Sequence, residues 1–159
     1  MIKSYTIRRA TIDDANGIQK VLLAAFKQYK SYYTQEAFSD TILEDEKVKE
    51  RLNNMIVYVA VDNIGKIIAT IGWQNIDNEE AHIRGMAVDP TRQGKNSPAT
   101  SLLHRVETEA KFEGCKIITL DTTQVLLRAH KFYKKNGYKK TGKITHWLGH
   151  IIYEFAKKL

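Results

Sequence analysis

The stretch Met86-Ala87-Val88-Asp89-Pro90-Thr91-Arg92-Gln93-Gly94-Lys95-Asn96-Ser97-Pro98-Ala99-Thr100 decides the reading of this chain. Its first residues end a strand pattern that runs over 81–88, and Asp89-Pro90 stops that strand. A polar, basic segment follows. Ser97-Pro98 then reads as a helix start, with serine as N-cap and proline at the first helical position. Behind it Ala99, Leu102, Leu103, Val106 and Ala110 make one apolar stripe at helical spacing, and Gly114 ends the helix. A strand, a basic loop and a helix N-terminus in succession make an anion site. Free backbone N–H groups and the positive end of the helix dipole converge there, and Arg92 and Lys95 add charge. The same succession also serves as an ordinary connection, so this stretch alone leaves both readings open.

Upstream, 5–9 alternates apolar and basic residues and predicts a first strand. Thr11-Ile12-Asp13-Asp14 has the form of a capping box. Ile18, Val21, Leu22, Ala25 and Tyr29 recur at helical spacing behind it, and 34 to about 52 predicts a second helix carrying Phe38, Ile42 and Leu43. The β-branched run 55–61, the turn Asp62-Asn63-Ile64-Gly65-Lys66 and the strand 67–73 form a hairpin. Asp77-Asn78 marks a second turn before 81–88. Downstream, 116–122 is a strand, 126–135 a helix stopped at Asn136-Gly137, and two short strands are expected near Tyr138 and over 150–155. The order β, α, α, β, β, β, α, β, α, β, β predicts a mixed α/β sheet.

The 159 residues fit one domain spanning 1–159, and 43% hydrophobic content suffices for a core. The longest apolar run, 55–61, is too short to span a bilayer, and Met1-Ile2-Lys3-Ser4-Tyr5 has no apolar region behind its charge. A cytoplasmic protein with no membrane partner is expected. A single cysteine, Cys115, excludes an internal disulfide and a cysteine metal cluster. It reads as a small buried residue rather than a nucleophile. His104, His130, His146 and His150 lack metal-ligand spacing, so no metal is expected. Lys plus Arg is 25 against 18 for Asp plus Glu, a net charge of +7. That excess suits an anionic partner, either a polyphosphate or nucleic acid, or simply a solvated surface. Lys131, Lys134, Lys135, Lys139, Lys140 and Lys143 concentrate it in one segment.

A second signal lies in Ala129-His130-Lys131-Phe132-Tyr133-Lys134-Lys135-Asn136-Gly137-Tyr138, a helix with an aromatic pair near its end and a glycine stop. Phe132 suits a core, whereas the Tyr133 hydroxyl needs a partner if its ring is buried. Taken with Ile7-Arg8-Arg9-Ala10-Thr11 and Asp14-Ala15 at the start, and with Glu107 behind Leu102-Leu103, these stretches resemble the GNAT superfamily of N-acetyltransferases. The resemblance covers nearly the whole chain in order. It implies a GNAT fold, a mixed central sheet of six to seven strands flanked by about four helices. It departs from the family at the phosphate loop, where Asn96 stands at the expected first glycine, Pro98 lacks an N–H, and the run to Leu102 is about a residue longer. Asn96 can still adopt a left-handed conformation and Ser97 can donate its hydroxyl. Leu126 replaces an asparagine common in the family.

The resemblance implies direct transfer of an acetyl group from acetyl-CoA to a primary amine of a small molecule or peptide. Acetyl-CoA is then held by Met86, Ala87, Val88, Arg92, Gln93, Gly94, Lys95, Asn96, Ser97, Ala99, Thr100, Phe132 and Lys135. A backbone N–H on the Met86-Ala87-Val88 strand would meet the developing oxyanion, and Tyr133 would protonate the leaving thiolate. An alkylamine has a pKa of about 10, so a base must take its proton. His82 is the first candidate, Glu80 the second and Asp121 a weaker third. Strand alternation sets Glu80, His82, Arg84 and Met86 on one face. His82 also reads as a half-exposed strand histidine without a role. Two other classes stay open: a non-catalytic acyl-CoA-binding regulatory module, suggested by the altered loop, and an acetyltransferase of aminoacyl-tRNA, suggested by the lysines. The family also implies a chain able to form a homodimer.

Overall fold

The computed structural model describes residues 4–77 and 79–159; Met1, Ile2 and Lys3 of the opening segment and Asn78 of the second predicted turn lie outside them. Seven strands form one sheet: β1 (Tyr5–Arg9), β2 (Ile56–Asp62), β3 (Ile67–Asp77), β4 (Glu80–Val88), β5 (Ile117–Thr123), β6 (Lys139–Trp147) and β7 (His150–Lys158). Their spatial order is β1-β2-β3-β4-β5-β7-β6. All neighbours are antiparallel except β4 and β5, which run parallel and are joined by a helical crossover. Five helices flank the sheet: α1 (Ala15–Phe26), α2 (Gln35–Ile42), α3 (Asp45–Asn54), α4 (Ala99–Phe112) and α5 (Leu127–Lys135). The mixed α/β architecture is the one expected from the sequence.

Each face of the sheet buries its own core. One holds Trp73, Ile83, Leu102, Leu103, Ile118 and Phe155. On the other, Ile18 and Leu22 of α1 and Val48 of α3 meet Val57, Val59 and Ala87 of the sheet. A third, smaller cluster joins Tyr33, Ala37 and Phe38.

Two expectations change. The helix predicted over 34–52 is two helices, α2 and α3, broken at Leu43, which takes φ 49°. That left-handed conformation opposes helical continuation and is costly for a leucine. The break lets Phe38 and Val48 bury in different clusters. The tail strands are nine residues each rather than short, because β6 and β7 form a hairpin turning at Leu148-Gly149. The hairpin is tied to the start of α2: Thr34 donates its N–H to His150 Nε2 at 3.0 Å and its hydroxyl to the Leu148 carbonyl at 2.8 Å. At the chain start, the Asp14 carboxylate accepts from the Thr11 N–H at 2.8 Å, the expected reciprocal bond, and from both Nη atoms of Arg8. Those bonds, led by that from Arg8, hold the Asp14 carboxyl below the usual range against the opposing effect of burial.

Candidate active site

The parallel ladder between β4 and β5 runs only from Glu80–Ile117 to Ile83–Leu120. Beyond it β5 remains paired with β7 through Thr123, while β4 remains paired with β3 through Val88. The sheet therefore splays at its centre. A bulge in β4 sits where the splay begins. Thr70 faces Ala87 but Gly72 faces Arg84, so β4 holds one residue more than β3 across this step. Gly85 takes φ +65°, a conformation open to glycine at little cost.

The bulge overturns one sequence expectation. Glu80, His82 and Arg84 share a face, but Met86 does not join them. Its side chain packs into the α4–α5 core, and Ala87 goes to the α1–α3 core. The extra residue shifts the two-residue alternation by one, so every side chain after Gly85 changes face. Two sides of the splay result: a thioether side and an imidazole side.

On the thioether side, Tyr133 of α5 is buried, with its ring edge-on to Phe132 and Tyr138. Its hydroxyl donates to Met86 Sδ at 3.2 Å, a weak acceptor. Burial raises the Tyr133 pKa, so the phenol holds its proton. Tyr138 differs, because its hydroxyl is committed to Glu107 Oε2 at 2.9 Å, and Lys157 Nζ meets the same oxygen at 2.9 Å. Glu107 is thus a buried structural acid. Thr122 Oγ1, on β5 beyond the end of the ladder, is buried without a partner among the described residues.

On the imidazole side the geometry fixes a tautomer. Thr119 Oγ1 donates to Glu80 Oε2 at 2.9 Å. A carboxylate only accepts, so that bond consumes the single hydroxyl proton. The contact of 2.8 Å between Thr119 Oγ1 and His82 Nδ1 must then carry the imidazole proton. In the neutral ring the lone pair lies on Nε2, which stands 3.5 Å from Asp121 Oδ2. The His82 side chain is 12% exposed and that of Asp121 45%. The interaction with His82 is the largest factor lowering the Asp121 pKa, with burial opposing it. Glu80 stands behind Thr119 with one oxygen engaged. The pairing of His82 with Thr119 was not legible in the sequence, where the two residues are far apart and no local signal joins them.

The loop after β4 ends on a helix N-terminus. Asp89 Oδ1 accepts from the Thr91 N–H and hydroxyl, and Gln93 Nε2 donates to the Val88 carbonyl at 3.1 Å, so the loop is tied back to the strand. The left-handed residue is Gly94, φ 101°, and not Asn96, which has no positive φ. Ser97 N–H closes a turn onto the Gly94 carbonyl at 3.1 Å. Pro98, and not Ser97 as expected, is the N-cap of α4, which begins at Ala99; the Ser97 hydroxyl accepts from the Ala99 N–H at 3.1 Å. The N–H groups of Gly94, Lys95, Asn96 and Thr100 make no hydrogen bond among the described residues. They face solvent with Lys95 and the dipole of a 14-residue helix beside them, a setting suited to phosphate oxygens. Arg92 turns toward the Ser4 carbonyl, 3.5 Å away. Lys135 is exposed at the end of α5, and Phe132 packs partly against the core.

Comparison with known proteins agrees with this geometry. The acetyltransferase (GNAT) family matches residues 19–138. An uncharacterized N-acetyltransferase of Methanocaldococcus jannaschii is 26% identical over 151 residues, covering 93% of this chain and 66% of that protein. An uncharacterized Bacillus subtilis protein, YdhI, is 34% identical over 89 residues, covering 56% of this chain and 53% of that one. The chain thus spans less than two thirds of either curated relative. Among solved structures, the PaiA N-acetyltransferase of Thermoplasma acidophilum, crystallised with coenzyme A, superposes with a TM-score of 0.82 at 22% identity over 98% of this chain and 99% of that one. A Streptococcus agalactiae acetyltransferase gives 0.78 at 18% identity over 99% and 100%. With the family matched from the first helix to the glycine stop after α5, the chain belongs to the acetyltransferase (GNAT) family.

Proposed function

We propose that the chain is a single-domain cytoplasmic N-acetyltransferase that uses acetyl-CoA and a primary amine. Acetyl-CoA supplies the activated acetyl thioester. The N–H groups of Gly94, Lys95, Asn96 and Thr100, with Lys95, receive the diphosphate, while Gln93 keeps the loop closed against β4. The splayed edge of β4 and the unpartnered Thr122 hydroxyl suit a ligand arm carrying amide groups. Backbone N–H groups at the Gly85–Met86 bulge stabilise charge on the reacting oxygen.

His82 takes the amine proton on Nε2, with Thr119 holding Nδ1–H and Asp121 stabilising the imidazolium. Tyr133 gives its proton to the departing sulfur. The observation that carries this reading is the Tyr133 phenol itself: buried, protonated, and spent on nothing stronger than a thioether across the splay. A regulatory module that only bound acyl-CoA would have no use for an uncommitted buried proton donor there.

Calorimetric titration with acetyl-CoA, followed by a thiol-release assay over an amine panel, tests the reading. Saturable one-site binding and amine-dependent thiol release are expected. Absence of binding refutes it, and binding without release for any amine favours the regulatory module.

A further inference from the structure

Arg51, in the last turn of α3, is a half-buried guanidinium that makes no hydrogen bond or ion pair among the described residues. It lines a small cavity with Val48, Leu52 and Val57, and its head lies against the β4 bulge at Gly85. A Cβ added at Gly85 would fall on that guanidinium. Glycine at 85 is therefore required twice, for its backbone conformation and for the arginine beside it. Arg84 adjoins the bulge with a second positive charge. Burial and the Arg84 charge both lower the Arg51 pKa, while Asp40 alone raises it and does so without forming an ion pair. A guanidinium withdrawn from water without an acceptor is costly, and arginine cannot relieve the cost by losing its proton.

The same face carries the opposite charge further along β4. Glu80, His82 and Asp121, linked through Thr119, make an acidic and imidazole end. The face thus carries both charges: groups that take up an ammonium proton lie along β4 before the bulge, Arg84 stands between them and Gly85 and also lowers the Asp121 pKa, and the Arg51 guanidinium lies at Gly85 itself. A plain polyamine would leave the arginine end unsatisfied and repelled.

Resting on the acetyltransferase reading above, we propose that the acceptor is a small amine that also carries an anionic group, a carboxylate or phosphate, bound by Arg51 with Arg84 adding charge while the amine faces His82. The planar fork of Arg51 suits two parallel bonds to either oxyanion.

The test compares matched pairs by thiol release: amino acids against their carboxamides, and 2-aminoethyl phosphate against 2-aminoethanol, with kcat/KM expressed per unprotonated amine. The anionic member should exceed its neutral partner by about 10- to 100-fold, the span of a charge-assisted hydrogen bond. Arg51→Met should bring that ratio toward one, and Arg51→Lys should restore part of it. The carboxylate and phosphate pairs distinguish the two anions. A wild-type ratio at or below one, or a ratio unmoved by Arg51→Met, overturns the proposal. So does a chain that binds acetyl-CoA by calorimetry yet acetylates no anionic amine in the panel. A chain that binds no acetyl-CoA refutes the transferase reading first, and this inference with it.

Discussion

Tyr133→Phe removes one oxygen and leaves the ring among Phe132, Tyr138 and Phe155. The lost hydroxyl has a single partner, Met86 Sδ at 3.2 Å, and thioether sulfur is a weak acceptor. A neutral hydrogen bond contributes about 0.5–1.5 kcal/mol net, and this one belongs at the bottom of that range. Stability should therefore change by less than about 1 kcal/mol, a shift of a few degrees in Tm. Turnover should fall much further. A thiolate leaves readily without help, so the acid contributes about 10- to 100-fold, equivalent to about 1.4–2.7 kcal/mol of barrier. Burial holds the phenol proton well above the usual tyrosine range, so the loss should be uniform from about pH 6 to 9. Steady-state thiol release, thermal melts and acetyl-CoA calorimetry on both proteins separate the effects. Wild-type kcat in Tyr133→Phe would refute the acid role. A loss explained by weaker acetyl-CoA binding or by a collapsed Tm would refute the argument that the hydroxyl is uncommitted.

Thr119→Val keeps the side-chain shape while cutting the bridge between Glu80 and His82, so kcat/KM should fall about 10-fold or more and the pH–rate profile should change shape, as in His82→Ala. A Thr119→Val enzyme with the wild-type profile would remove the oriented imidazole from the mechanism. The Asp14 carboxyl titrates below its unfolded value because of its bonds, first of all from Arg8. The stability it contributes is thus present above about pH 4 and is lost as pH falls through the folded value. Asp14→Asn should lower the urea midpoint near neutral pH and lose that deficit in acid; a deficit equal at both would contradict this linkage.

Much of the secondary structure was legible because its causes are local. The serine–proline start of α4, its apolar stripe, the glycine stop after α5 and the hairpin at residues 62–66 each depend on neighbours a few positions away. The basic loop could be read as an anion site for the same reason, since a helix N-terminus exposes its N–H groups whatever packs behind it. The site's second half was illegible. Alternation alone set Met86 beside His82, and only the pairing of β3 with β4 reveals the extra residue that reverses it. Nothing near Leu43 announces a break, because burial of Phe38 and Val48 in separate clusters imposes it.

From sequence alone came the order of elements, the basic loop on a helix start, and a tyrosine whose hydroxyl needs a partner once its ring is buried. Tertiary structure alone decided that β4 and β5 part company after Ile83, that Thr119 grips the His82 ring, and that Arg51 meets the Gly85 bulge unpaired. The division has one physical reason. Conformational preference acts through adjacent residues, whereas strand pairing and the desolvation of charge depend on groups that the chain brings together only once it has folded.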